Sequence, residues 1–425
     1  MRPFRFVLHM KEYGWEPTVV TIDAPGQVLT EKEAELLEGI EVVRIKPLYD
    51  RSVTAESQLG LAPVWNKTRK KGPNPIDRML NGMDRLFPID SWLILFWMKY
   101  RQIEETIRRV QPDVLWSTGD PWSGLVTGEK ISRQFNIPWV ADFRDPWTLC
   151  EVRSDGKSPL TQAVDRRYEN KILNTADKVL FQARQTEEKY RAYYPQIRSK
   201  ATTIYNSYDP LVLDDPVDLN SASPLAISKG NDLHLGFFGR FRAMSPAKLI
   251  MDVLESAHRR HGPIAGRIKV HPFGPLNLTD ENLAIEHGIA DQFIPADAVP
   301  LEKSVSALNQ FDILLLSTDT RRNEIIPAKL LEYLAAARPV LSMSRNPEVA
   351  EILERTGAGV QVDSNELDTV ADLLVDCVKA KDEKRRMPIP FELNPEAVQR
   401  FDARTTTEEL ATLFDSIVGV RNYGS

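Results

Sequence analysis

Residues 312–344 read DILLLSTDTRRNEIIPAKLLEYLAAARPVLSMS. The apolar run DILLLS (312–317) has the length of a buried strand, and a polar loop follows it as far as Pro327. Proline is tolerated at the first helical position, where its missing N–H has no intrahelical partner, so a helix is expected over 328–337. A second buried strand, PVLSMS (339–344), closes the unit. A strand, a helix and another strand in so few residues make a right-handed crossover in a parallel sheet.

The same rhythm extends in both directions. Downstream lie a helix over 347–355 and the strand GVQVD (359–363). Upstream come the strand LHLGFFG (233–239), a helix over 246–259, the strand RIKVHPF (267–273), a short strand around QFIPA (292–296) and a helix over 301–309. Before a polar, proline-containing stretch at 209–231 a separate series runs: helix 91–110, strand DVLWST (113–118), helix 123–135, strand IPWVAD (137–142), helix 159–174 and strand KVLFQA (178–183). At the start, Phe4, Val7, Leu8 and Tyr13 form a helical apolar stripe stopped by Gly14, and the strands PTVVTID and IEVVRI follow. Residues 45–90 are irregular, broken by prolines. The expected fold is therefore α/β, with two Rossmann-like, doubly wound parallel-sheet domains: residues 1–208, a linker at 209–231, residues 232–394, and a final helix within 395–425. Ligands of such sheets bind at the carboxyl ends of the strands.

Composition narrows the function. The 425 residues carry 54 Lys and Arg against 60 Asp and Glu, a net charge of −6, which excludes the broad basic surface of a nucleic-acid protein. Two distant cysteines, Cys150 and Cys377, exclude a disulfide framework and favour a reducing compartment. No apolar run approaches the roughly 18 residues of a spanning helix, and the start does not read as a signal peptide, so a cytoplasmic location is expected. There is no Asp-x-Asp, no Gly-x-x-x-x-Gly-Lys, no Gly-x-Gly-x-x-Gly and no Gly-x-Ser-x-Gly. No metal or other cofactor is expected.

Several residues stand where chemistry would be done. Glu324 falls on the loop after DILLLS and Glu332 on the helix after Pro327, with Lys329 between them. The helix start offers unpaired N–H groups to an anion, and carboxylates on either side can accept hydrogen bonds from vicinal hydroxyls. A solvated helix residue and a loop charge are the plain alternative. Arg240 follows LHLGFFG and is otherwise a surface charge at a strand end. In the first half, Asp120 lies in the turn STGDPWSG (117–124), and Asp142, Arg144 and Asp145 lie in ADFRDPW, either to bind hydroxyls or to hold their own loop together. Lys67, Arg69, Lys70 and Lys71 precede an all-apolar run, Trp92–Met98, which is either a buried helix or, with the basic residues, a surface for anionic headgroups.

EIIPAKLLEYLAAARPVL resembles the Glu-x7-Glu signature of retaining glycosyltransferases of the GT-B fold, in the style of glycosyltransferase family 4. RPFRFVLHMKEYGWEPTVVT, QPDVLWSTGDPWSGLVTGEKISRQFNIPWVADFRDPW, ADKVLFQARQTEEKYRAYYP, IYNSYDP and LGFFGRF follow the same order as in such enzymes, so the resemblance covers most of the chain. It implies two domains facing across a cleft, a nucleotide-diphosphate sugar in the second half, a saccharide or lipid-linked acceptor in the first, and a C-terminal helix that returns to the first domain. Glu332 would take the ribose, and Glu324 with the backbone N–H groups of Ile325 and Ile326 the donor sugar. Arg240 and Lys329 would meet the diphosphate, with Lys248 as a second cation. Relatives often carry a further Arg near Met244–Pro246, a lack for which Arg242 would compensate. Leu125 stands where relatives often place a histidine, leaving Asp120 as the nearest substitute. Relatives also begin with a strand and a Gly-rich turn before the first helix, so the chain is expected to continue upstream in its complete form, or else to be a decayed copy. Two rival activities share these features: a nucleotide-sugar epimerase on the same fold, and a non-catalytic sugar-binding subunit.

Overall fold

The computed structural model describes residues 2–23, 30–46, 88–90, 92–213, 228, 230–241, 245–297, 299–319 and 321–422. Lys67–Lys71, Arg242 and Met244 lie outside the described residues. The chain forms two compact units, one of Met1–Tyr205 with Thr406–Ser425 and one of Asn206–Thr405. The residues expected as a linker, 209–231, thus fall within the second unit.

In the first unit, helix α1 (Arg2–His9) runs into a 3-10 turn that ends at Gly14, whose φ of 82° needs a residue without Cβ. Of the expected stripe Val7 is buried, while Phe4, Leu8 and Tyr13 are half-buried; the buried face also holds Phe6 and Met10, together with Arg2 and Arg5. The helix turns this face inward because Arg2 Nε donates to the buried Asp142 carboxylate at 2.8 Å. Phe6 and Met10 pack with Val140, Leu180 and Ile204, and with Leu410, Phe414 and Ile417 of the C-terminal helix Ala403–Asn422. Strands β1 (Thr18–Ile22) and β2 (Glu41–Ile45) pair in parallel as a separate two-stranded sheet. Where one helix was expected over 91–110 there are two, α2 (Leu93–Met98) and α3 (Tyr100–Val110), divided at Lys99. Trp92 and Leu95 are buried, whereas Ile94, Trp97 and Met98 are exposed, Trp97 to 75%.

The main sheet of this unit is parallel, in the order β3 (Leu115–Gly119), β4 (Trp139–Phe143), β5 (Lys178–Phe181), β6 (Ala201–Thr203). Helices α4 (Ser123–Phe135), α5 (Pro159–Thr175) and α6 (Arg184–Tyr193) connect its strands. Every residue of β4 is buried, as befits a central parallel strand covered on both faces.

The second unit holds a five-stranded parallel sheet in the order β11-β10-β9-β7-β8: β7 (Leu233–Phe237), β8 (Ile268–Pro272), β9 (Ile313–Ser317), β10 (Val340–Met343) and β11 (Gly359–Val362). Helices α7 (Lys248–His261), α8 (Lys329–Ala336), α9 (Pro347–Thr356) and α10 (Leu367–Asp382) flank it. QFIPA makes two isolated bridges, Phe293 to Val270 and Ala296 to Phe273, rather than a strand. Pro295 has no N–H for a ladder. The chain steps from β7 to β8 on one side and resumes at β9 on the other. The strand order therefore reverses between β7 and β9, the place where open α/β sheets bind ligands.

Candidate active site

Two loops leave the sheet at this reversal. After β7 the chain turns at Gly239, with φ 90°, and presents Arg240 on the surface. The stem of Arg240 lies over Gly274: a Cβ there would come within 2.6 Å of its Cγ. After β9 come Ser317 and Thr318. Ser317 donates to the Pro246 carbonyl at 3.1 Å, fixing the loop that leads into α7. Thr318 Oγ1 and Asn323 Oδ1 are buried without a hydrogen-bond partner among the described residues. Sequence reading passed over both, although for Thr318 a polar residue directly after a buried strand is the signal.

Helix α8 starts at Lys329, two residues after Pro327, and among the described residues no side chain caps it. Its first-turn Glu332 is buried, 5% exposed, and Glu324 is half-buried on the preceding loop. Lys329 Nζ sits 3.4 Å from the centre of the Phe237 ring at the end of β7. Two hydrogen bonds set this helix against β9 and the end of β7. The fully buried Tyr333 hydroxyl donates to the Leu315 carbonyl at 3.0 Å and accepts from the Phe238 N–H at 2.9 Å. The Glu324 loop is anchored separately: Asn346, the N-cap of α9, donates to the Ile325 carbonyl at 3.0 Å. Ile325 and Ile326 are buried. Basic Arg240, Lys329 and acidic Glu332 thus share the carboxyl edge of one sheet with an uncapped helix start. Lys248 differs from expectation: it is exposed and ion-paired to Asp252, one turn along its own helix, at 2.6 Å.

In the first unit the candidate residues separate. Asp142 is a correction: it is fully buried within β4 and its charge is met by Arg2, so it does not face outward to bind a hydroxyl. Asp120 and Asp145 are joined through Arg153, which sequence reading missed, at 3.0 and 3.1 Å. Burial works against the Arg153 charge, but the two carboxylates outweigh it and hold the guanidinium above its usual range. Arg144 lies 3.9 Å from Asp145. Leu125 is fully buried in the core beside Trp122.

Comparison with known structures defines the class first. The fold is GT-B, the two-domain α/β architecture of many glycosyltransferases. Sucrose-phosphate synthase from Thermosynechococcus elongatus superposes with a TM-score of 0.63 at 14% identity, over 98% of this chain and 92% of its own. HepE of Anabaena, in complex with UDP and glucose, gives 0.59 at 14% identity over 94% and 99%. The α,α-trehalose 6-phosphate synthase of Burkholderia multivorans gives 0.60 at 12% identity over 95% and 99%. More particularly, residues 5–206 match the glycosyl transferase 4-like domain, which supports a glycosyltransferase. No curated protein matches the sequence. Among the described residues no helix is long and apolar enough to cross a membrane.

Proposed function

We propose that the protein is a retaining glycosyltransferase that moves a sugar from a nucleotide-diphosphate sugar to a saccharide or lipid-linked acceptor in the building of cell-surface glycans. The observation that carries this reading is the grouping at the β7/β9 edge: Arg240, Lys329, buried Glu332 and the Thr318 Oγ1 and Asn323 Oδ1 atoms, buried without a hydrogen-bond partner among the described residues, beside a helix start that no side chain caps among them. Glu332 would accept hydrogen bonds from the ribose hydroxyls, and Glu324 with the Ile325 and Ile326 amides would hold the donor sugar. As the glycosidic bond breaks, the leaving diphosphate gains negative charge. Fixed cations and helix amides aimed at it lower the barrier most where that charge develops. Arg240 and Lys329 take that role without a divalent ion, in keeping with a sequence that has no Asp-x-Asp. Retention is supported by the likeness of Glu324 and Glu332 to the Glu-x7-Glu signature. The exposed Ile94, Trp97 and Met98 support peripheral contact with the cytoplasmic face of a membrane, where a lipid-linked acceptor would reside.

Incubation with uridine- and guanosine-diphosphate sugars tests the assignment. Slow hydrolysis of one donor, with the anomeric configuration kept in the product, supports the transferase. An epimerised donor would make the protein an isomerase, and binding without any turnover a sugar-binding subunit.

A further inference from the structure

The first unit contains a cavity of about 240 Å³ that the donor chemistry does not use. Its walls come from the segment at Asp90, the turn after β3, the stretch from Trp147 to Lys157, and α5. Trp122 and Trp147 stack in it with ring centres 5.0 Å apart and planes 2° from parallel, and the Arg153 guanidinium lies 5.4 Å from the centre of the Trp122 ring. Trp147 is 2% exposed, and its indole Nε1–H, buried in this wall, has no hydrogen-bond partner among the described residues. An unmet buried donor is unfavourable, and persists in a wall where a ligand or water completes it.

The wall is held rigid from behind. Trp147 N–H donates to the Tyr190 hydroxyl at 2.8 Å, which in turn donates to Glu169. The Glu169 carboxylate also accepts from the Thr148 N–H at 3.1 Å, from the Thr148 hydroxyl and from the Tyr194 hydroxyl at 2.7 Å. Asp90, at the other side, accepts from the Trp92 and Ser123 amides at 2.9 and 2.8 Å.

Charge identifies the class of occupant. Arg153 is matched by Asp120 and Asp145 and Lys157 by Asp165, and with Asp90 and the exposed Arg166 the lining carries three carboxylates and three cations. An anionic ligand that reached Arg153 or Lys157 would have to displace one of these carboxylates, whereas hydroxyls can use the lone pairs that the pairs leave open. The volume is below the roughly 300–1,000 Å³ of clefts that bury drug-sized ligands, so one ring fits better than a nucleotide sugar. We infer that this cavity binds a neutral saccharide ring, accepting the Trp147 indole N–H and hydrogen-bonding the Asp90 and Asp120–Arg153 wall. Naming that ring the acceptor of transfer rests on the glycosyltransferase reading, whereas its binding does not.

Saturation-transfer NMR on the full chain decides it. The probes are the methyl pyranosides of glucose, galactose, mannose, rhamnose and N-acetylglucosamine, methyl glucuronide as the charged counterpart, and UDP and GDP. At least one neutral glycoside should receive saturation and the glucuronide should not. Trp147→Phe, which removes the N–H, should weaken that glycoside about fivefold, and Ser154→Phe, which fills the cavity from its half-buried rim, by at least as much. Nucleotide signals should be the same in both variants as in the native chain. Absence of any neutral-glycoside signal, preference for the glucuronide, or unchanged binding in both variants would overturn the site. Glycoside binding without UDP or GDP binding would overturn the donor assignment and leave the cavity standing.

Discussion

Tyr333→Phe removes one oxygen from the centre of the second unit and leaves the shape of the side chain unchanged. That oxygen bridges the middle of β9 and the end of β7, donating to the Leu315 carbonyl and accepting from the Phe238 amide. Loss of the first bond costs about 1 kcal/mol, the net worth of a typical hydrogen bond. The second loss strands an N–H in a half-buried position, at the low end of the ~1–3 kcal/mol for an unmet donor. The sum is about 2–3 kcal/mol. For a unit of about 200 residues each kcal/mol moves the melting midpoint by ~2–4 °C, so the transition of this unit should fall by about 4–12 °C. Scanning calorimetry reads this directly. Phe238 directly precedes Gly239 and Arg240, so donor turnover should fall as well. A midpoint lowered by less than about 1 °C, with turnover intact, would show that the hydroxyl does not tie β7 to β9 and that the site is not organised through it.

The other expectations concern single groups. Glu332→Ala should weaken nucleotide binding about tenfold or more, the worth of hydrogen bonds to a charged group, and an unchanged Kd by calorimetry would remove the ribose assignment. Arg240→Ala should lower kcat by roughly 10²–10³ while altering nucleotide Kd much less, since it meets charge that appears only as the bond breaks; equal losses in both would make it a simple binding residue. Burial, then the neighbouring His234, push the His271 imidazole down to about 4, with Asp312 and Lys269 also acting on it. The unfolded chain binds that proton near pH 6.5, so the stability His271 contributes is complete above 6.5 and is lost as pH falls toward 4. His271→Gln should flatten that limb of the urea stability curve, and a curve parallel to the native one would refute the cause. Trp97→Ser should reduce co-sedimentation with phosphatidylglycerol vesicles and leave donor hydrolysis unaltered; equal sedimentation would dismiss the exposed helix face as a membrane contact.

The strands of the second sheet were legible because LHLGFFG, DILLLS and PVLSMS are continuous apolar runs of strand length between polar turns, the pattern of parallel strands buried on both faces. β6, of only three residues, is too short to leave a pattern. The division at Lys99 carries no proline or glycine to announce it. A helix at Leu278–Glu286 had its start written in Asn277, whose side chain accepts from the Asp280 amide, and that cap went unread. Pairings between distant residues were beyond reach. Arg2 meets Asp142 across 140 positions, and Arg153 meets Asp120 across 33, so neither the burial of the first carboxylate nor the engagement of the second could be inferred from neighbours in the chain. Glu324 and Glu332 are different: their relation is one of spacing along a loop and helix, which the order of residues contains.

The packing of Leu410, Phe414 and Ile417 against Phe6 and Met10 bears on the timing of biosynthesis. The second unit is continuous in the chain, so a ribosome delivers all of it before it has made the residues that finish the first. Residues 2–205 must therefore wait with an apolar face open, and the half that is translated later can be the earlier to mature. An emerging chain stalled before residue 410 would offer chaperones a surface that the finished protein never shows.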